Sequence, residues 1–164
     1  MKIHIIGGSG SGKSTVAKQL SEKYSIPHYD LDAIFWDKNA EQYKIKAPVF
    51  IRDNKLKEIV GQPSWIIEGV YFTWLDPSFA LADKIFVLHT PLSVQEERIW
   101  SRYYQRKTGL LSSTKKETIN SVNELIDWNK KYIENYLPNF INNTKYKDKI
   151  IQLENNFAIF EYIS

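Results

Sequence analysis

Lys2-Ile3-His4-Ile5-Ile6-Gly7-Gly8-Ser9-Gly10-Ser11-Gly12-Lys13-Ser14-Thr15 is the stretch that decides the fold. After Lys2, the residues Ile3, Ile5 and Ile6 are apolar and β-branched around one histidine, the pattern of a short buried strand, and they stop abruptly on glycine. Residues 14–24 then carry Val16, Ala17 and Leu20 at helical spacing, so the order is strand, glycine loop, helix. Gly7, Gly12, Lys13 and Ser14 satisfy G-x-x-x-x-G-K-[ST]. Glycines let a backbone turn tightly and present its N–H groups to phosphates, and the start of the following helix adds the positive end of its dipole. Lys13 is expected to reach the β and γ phosphates, and Ser14 to place its hydroxyl on Mg²⁺, an ion that takes oxygen ligands. Gly7, Gly8, Ser9, Gly10, Ser11, Gly12, Lys13, Ser14 and Thr15 together form the expected nucleotide-binding loop.

Outward from the loop, 28–31 reads as a second strand, 65–67 as a third, 84–88 as a fourth and 149–153 as a fifth. Helical patterns occupy 41–60 (polar, interrupted at Pro48), 93–106 and 117–136 before Pro138, with a closing helix after the fifth strand. Residues 109–113 read as the most mobile loop. Strands separated by helical segments of this length imply parallel pairing with right-handed crossovers, hence a doubly wound α/β sheet covered on both faces. Ligands in such sheets sit beyond the carboxyl ends of the strands.

The 164 residues are 43% hydrophobic, 14% aromatic and 25% charged, the balance of one ordinary globular domain. The absence of cysteine excludes thiol catalysis and Cys-ligated metal centres, and suits a reducing compartment. Residues 1–6 reach glycine too soon for a signal peptide, and no run approaches a membrane span, so an unexported, cytoplasmic protein is expected. The net charge of +3, from 22 basic and 19 acidic residues without a clustered basic stripe, suits an anionic ligand better than DNA.

The glycine loop resembles that of the P-loop kinases of the adenylate kinase-like group. The segments IHIIGGSGSGKST, HYDLD, WIIEGVY and ADKIFVLHTP together resemble the small bacterial DNA topology modulation proteins (FlaR-related) over nearly the whole chain. The resemblance implies a P-loop NTPase fold with a five-stranded parallel sheet, a short helical lid near 98–118 and an acceptor-binding helical segment near 38–62. It also implies ATP with Mg²⁺ and phosphoryl transfer to a small-molecule acceptor such as a nucleoside or nucleotide. The family's name and the basic pI near 8.9 supply the second reading, a nucleotide-dependent regulator that binds DNA. No recognisable reading helix supports it.

Asp30 and Asp32 lie two apart in a segment read as extended, so their carboxylates are expected on one side, about 7 Å apart. Similar small-molecule kinases carry Asp-x-Asp here, one carboxylate near the metal and one on the acceptor hydroxyl, a general-base arrangement. A helix cap is the alternative for both. Glu68, after the apolar Trp65-Ile66-Ile67, is the candidate to hold Mg²⁺ through a bound water. Adenylate kinases follow this position with an arginine for the AMP phosphate. Here the sequence runs Glu68-Gly69-Val70-Tyr71-Phe72, which argues against AMP. Tyr71 and Trp74 would flank a flat acceptor or pack under a loop, and Arg52 would pair with an anionic acceptor or stay solvated.

Arg98, Arg102 and Arg106 are spaced four apart on one helix face. Resemblance to the kinase lid makes Arg102 and Arg106 candidates to stabilise the transferring phosphoryl group; pairing with Glu96 and Glu97 is the alternative. Lys115 and Lys116 read as solvated. His4, His28 and His89 lack metal-ligand spacing and read as packing or surface residues. Asn129-Lys130 is followed by Tyr132 where a guanine-reading Asp would be needed, against a signalling GTPase.

Overall fold

The computed structural model describes residues 1–40, 44–111 and 117–164. Five strands, β1 (Lys2–Ile6), β2 (His28–Asp30), β3 (Trp65–Gly69), β4 (Lys84–Leu88) and β5 (Ile150–Leu153), form one sheet in the order β2-β3-β1-β4-β5. Every pairing is parallel. Alternation along the central strands assigns their side chains to two cores. Ile3, Ile5, Ile66, Phe86 and Leu88 pack with Val16, Ala17 and Leu20 of α1 (Lys13–Tyr24) and with Ile159. Ile6, Trp65, Ile67, Ile85 and Val87 pack on the other face with Leu56, Ile59, Phe79, Tyr132 and Leu137. Because both faces are buried, the strands read as continuous apolar runs, and each large buried side chain stabilises the fold by about 1.5–3 kcal/mol.

The remaining helices are α2 (Asp32–Phe35), α3 (Val49–Val60), α4 (Asp76–Leu81), α5 (Leu92–Lys107), α6 (Ile119–Lys131) and α7 (Leu137–Asn143). Among the described residues no helix is long and apolar enough to cross a membrane.

Four sequence expectations are corrected. The segment near 38–62 is helical only from Val49: residues 41–43 lie outside the described residues, Lys44 sits in a turn at φ 63°, and 45–47 form no helix. Lys46 there bridges Trp36, and the Ala47 N–H donates to the Phe35 carbonyl. Pro48 explains the boundary, since it disfavours helical backbone in the residue before it and sets the start of α3. The second strand ends at Asp30; Leu31 is already helical and Asp32 opens α2, so the two aspartates do not share an extended segment.

Pro138 does not end the long helical stretch. A π-helical turn at Tyr132–Tyr136, with the Leu137 N–H reaching back to the Tyr132 carbonyl, joins α6 to α7 and carries the chain past the proline. The wider turn is placed where an uninterrupted α-helix would meet the proline's missing donor and its ring. The closing helix is a 3₁₀ segment, Asn156–Tyr162. Of the expected lid near 98–118, α5 and residues up to 111 are described, while Ser112, Ser113, Lys115 and Lys116 lie outside the described residues.

Candidate active site

β1 pairs with β3 on one side and β4 on the other, and the chain leaves β1 directly into the glycine loop, at the crevice where α/β sheets collect ligands. Gly12 caps α1 at φ 93°, a left-handed conformation that only glycine adopts without strain. Lys13 folds back over the loop, its Nζ donating to the Gly8 carbonyl at 2.7 Å. Burial lowers its pKa, and Glu68, Asp32 and Asp30 oppose that shift.

The loop is held by four polar side chains with no recognisable sequence pattern. The Ser9 N–H donates to Asn129 Oδ1 at 2.8 Å, and Asn129 Nδ2 donates to Gln95 Oε1 at 2.9 Å. Gln95 Nε2 donates in turn to the Thr90 carbonyl at 2.7 Å. Thr90 Oγ1 and Asn156 Nδ2 both donate to the Ser11 carbonyl at 2.8 Å. Gln95 and Asn129 are fully buried. A Cβ at Gly8 would lie 2.4 Å from Gln95 Oε1 and 2.7 Å from Asn129 Oδ1, so this close approach requires glycine.

Glu68 is buried in β3, in register with Ile5 of β1 and Asp30 of β2. Its Oε1 accepts the Ser14 hydroxyl at 2.6 Å and lies 3.6 Å from His28 Nε2. Burial pushes its carboxyl up, but His28, Lys13 and Ser14 outweigh burial and hold it below its ordinary value. Asp30 Oδ1 accepts the Asp32 N–H at 2.9 Å, an Asx turn just before α2, whose N-cap is Leu31 without a side-chain capping bond. Desolvation, with Glu68 and Asp32 beside it, raises the Asp30 carboxyl to about 6. Asp32 Oδ1 accepts the Tyr71 hydroxyl at 2.5 Å, and burial together with Asp32 raises the Tyr71 pKa.

Beyond Asp32 lies an aromatic wall. Phe35 stacks on Tyr71 at 4.4 Å and lies near-parallel to Trp74 at 6.1 Å; the Arg52 guanidinium covers Trp74 at 4.5 Å and pairs with Asp53 at 2.8 Å.

Next to the glycine loop is a cleft of about 400 Å³ lined by Gly10, Gly12, Lys13, Ser14, Thr15 and Val16, by Arg98, Ser101 and Arg102 of α5, and by Asn156 and Phe157. Arg98 Nη1 donates to the Gly10 carbonyl at 3.0 Å, and Arg102 Nη2 approaches Ser9 Oγ at 3.4 Å. Burial and the like charges of Arg106 and Arg98 lower the pKa of Arg102, which stays protonated at neutral pH. Arg106 instead pairs with Glu117 at 2.6 Å. Neither arginine pairs with Glu96 or Glu97 among the described residues.

The structure thus groups Lys13, Ser14, Asp30, Asp32, Glu68 and Tyr71 at the strand ends, with Arg102 across the cleft and Arg52 on the far side of the aromatic wall. Gly7, Gly8, Ser9 and Ser11 shape the loop and do not line the cleft. Sequence reasoning missed Thr90, Gln95, Asn129 and Asn156, which act singly from separate elements. It also missed His28, whose spacing of two from Asp30 along β2 was the available signal. Tyr132, read as out of place in a guanine site, is a core residue whose hydroxyl donates to the Val70 carbonyl at 2.7 Å.

The all-parallel five-stranded sheet with its glycine loop between β1 and α1 is an α/β P-loop NTPase fold. The solved structures that match it include shikimate kinases and a gluconokinase. A shikimate kinase from Acinetobacter baumannii, solved with shikimate, matches with a TM-score of 0.59 at 17% identity over 99% of this chain and 92% of its own. A gluconokinase from Sinorhizobium meliloti matches with a TM-score of 0.56 at 18% identity over 98% and 87%. At such identities the likeness establishes the fold alone.

Among curated proteins, the chain is 30% identical over 105 residues to the uncharacterized protein YqaC of Bacillus subtilis, a match spanning 63% of this chain and 57% of that protein. It is 39% identical over 114 residues to the cytidylate kinase of Sulfolobus acidocaldarius, spanning 62% of each. The match therefore spans only about three-fifths of the length of these relatives. No family model matches the chain.

Proposed function

We propose that this chain is an ATP- and Mg²⁺-dependent kinase that transfers the γ-phosphoryl group of ATP to a small-molecule acceptor seated beside Asp32. The observation that carries the reading is the meeting of Lys13, Ser14 and buried Glu68 at the carboxyl ends of β1 and β3, with Arg102 facing them across the cleft. The cytidylate kinase relative and the kinase structures are consistent with it. The likeness to topology modulation proteins names no acceptor, and the even spread of charge gives DNA binding no support.

The donor set fits Mg²⁺. Ser14 Oγ and Glu68 Oε1 are hard oxygen atoms 2.6 Å apart, the first exposed at the mouth of the loop and the second buried, and a magnesium ion bound between protein and phosphates needs few side-chain ligands. Ser14 would hold the ion directly and Glu68 through water; when bound, the ion neutralises charge on the phosphates.

The chain's own residues divide the remaining work. Lys13 exchanges the Gly8 carbonyl for phosphate oxygens, and the loop N–H groups and the start of α1 bind the phosphates. Arg98 and Phe157 border the cleft beside the loop, a cation and a flat ring suited to a nucleobase. Asp32, its Oδ1 fixed by Tyr71, orients the acceptor hydroxyl and accepts its proton. Arg102 stabilises charge on the transferring group.

The test is thermal melting of wild-type and Lys13→Ala protein with and without MgATP. Wild type is expected to gain about 2.7 kcal/mol at a hundredfold excess over Kd. Lys13→Ala should melt like wild type without ligand, because the Ser11 N–H still donates to the Gly8 carbonyl, and should gain nothing from MgATP. An undiminished gain in the variant would refute the phosphate site.

A further inference from the structure

We propose that the acceptor is a hydroxyl-bearing monoanion with a flat or apolar body: its hydroxyl at Asp32, its body against Phe35, Tyr71 and Trp74, and its carboxylate at Arg52. The inference rests on the kinase reading above and names the acceptor's chemical class.

Charge at the transfer end decides between a hydroxyl and a phosphate as the accepting group. Asp30, Asp32 and Glu68 converge there, Asp30 standing in register with Glu68 on the neighbouring strand. Lys13, the cation that faces all three, is committed to the phosphates of ATP. A phosphate acceptor would bring a further dianion against this cluster, whereas a hydroxyl is neutral and donates a hydrogen bond. Asp32 is prepared for that bond: Tyr71 holds Oδ1, and among the described residues nothing donates to Oδ2.

The far end has the opposite sign. Arg52 covers Trp74, and Lys46 Nζ lies 5.8 Å from the Phe35 ring; with Asp53 paired to Arg52, the described side chains there carry a net single positive charge. The Arg52 side chain is only 15% exposed, so its charge acts in a partly desolvated place. The Trp74 indole N–H is buried without an acceptor among the described residues, and a buried donor of this kind calls for an oxygen. A carboxylate supplies two oxygens and one charge. Between the ends, ring steps of 5.5 Å from Tyr71 to Trp74 and 4.5 Å from Trp74 to Arg52 give a surface for a ring.

The transfer balances as follows. A lone pair of the acceptor hydroxyl oxygen forms the new O–P bond to the γ-phosphorus. The bond from that phosphorus to the β–γ bridging oxygen breaks, and its electron pair leaves on ADP. The hydroxyl proton passes to Asp32 Oδ2 and then to water.

The experiment offers MgATP labelled in the γ-phosphate to the whole protein with two acids, 4-(hydroxymethyl)benzoate and quinate, each beside its methyl ester. Cytidine, CMP and AMP complete the panel. At least one acid should be phosphorylated with a kcat/KM about tenfold or more above its ester, the worth of one charge-assisted hydrogen bond. Arg52→Ala should bring acid and ester to near parity, and Arg52→Lys should keep part of the preference; melting without ligand identifies any variant that fails to fold. Preference for CMP or AMP, equal use of acid and ester, or transfer to none of the acids while MgATP still stabilises the protein would overturn the acceptor assignment alone. Failure of MgATP to stabilise wild type would overturn the kinase reading and this assignment with it.

Discussion

Replacing Asn129 by alanine tests whether the glycine loop depends on side chains remote in sequence. The substitution removes the acceptor of the Ser9 N–H at 2.8 Å and the donor to Gln95 Oε1 at 2.9 Å, at a site with no exposure to water. A buried polar group stripped of its partner costs about 1–3 kcal/mol, so two of them predict a loss of roughly 2–6 kcal/mol in unfolding free energy. Asn129→Asp should not rescue it, because a carboxylate keeps the acceptor but cannot donate to Gln95 and buries a charge. Urea denaturation of wild type, Asn129→Ala, Gln95→Ala and the double variant supplies the values. The two sites should couple by about 0.5–3 kcal/mol, since each single change already breaks their shared bond. MgATP affinity should fall alongside stability, because the Ser9 backbone loses its anchor. A loss below about 1 kcal/mol with unchanged MgATP affinity would refute the reasoning.

Two further outcomes are expected. Asp30 has a folded-state carboxyl raised to about 6 from an ordinary 3.8, so its contribution to stability is complete below about 3.8 and is lost as pH rises through 6. Asp30→Asn, which keeps an oxygen for the Asp32 N–H, should therefore melt above wild type at pH 7–8, and the gap should close below about pH 4; a gap independent of pH would refute the raised Asp30 carboxyl. Arg102→Ala should lower turnover by about 10²-fold or more with little change in ATP affinity, and Arg102→Lys should recover little, because lysine lacks the planar fork. Wild-type turnover in Arg102→Ala would leave Arg102 a structural contact to Ser9 Oγ.

The sheet was legible because each central strand is a run of β-branched or aromatic apolar residues closed by a glycine or a proline-containing break, as at Ile6-Gly7, Glu68-Gly69 and Leu88 before Pro91. The glycine loop was legible because its chemistry sits in one contiguous stretch. Elements set by distant packing were harder to read. Residues 45–47 carry helix-compatible composition but are drawn against Trp36 by the Lys46 bridge, and the π-helical turn before Pro138 goes with Tyr132 burying itself between Trp128 and Phe72. Gln95 and Asn129 belong to two helices and meet only at the loop they hold, so neither shows a spacing to read. Arg106 shared the period of Arg98 and Arg102, yet it pairs with Glu117, a partner that the period of α5 cannot disclose.

The central claim is that the γ-phosphoryl group of ATP moves to a small hydroxyl compound at the ends of β1, β2 and β3. Following ATP labelled in the γ-phosphate, with the acceptor panel and Mg²⁺, tests it most directly. The account predicts label on an acceptor in step with ADP formed, lost on chelation of Mg²⁺ and absent in Lys13→Ala. Label that remains in ATP, or that appears solely as inorganic phosphate whatever acceptor is supplied, would contradict it.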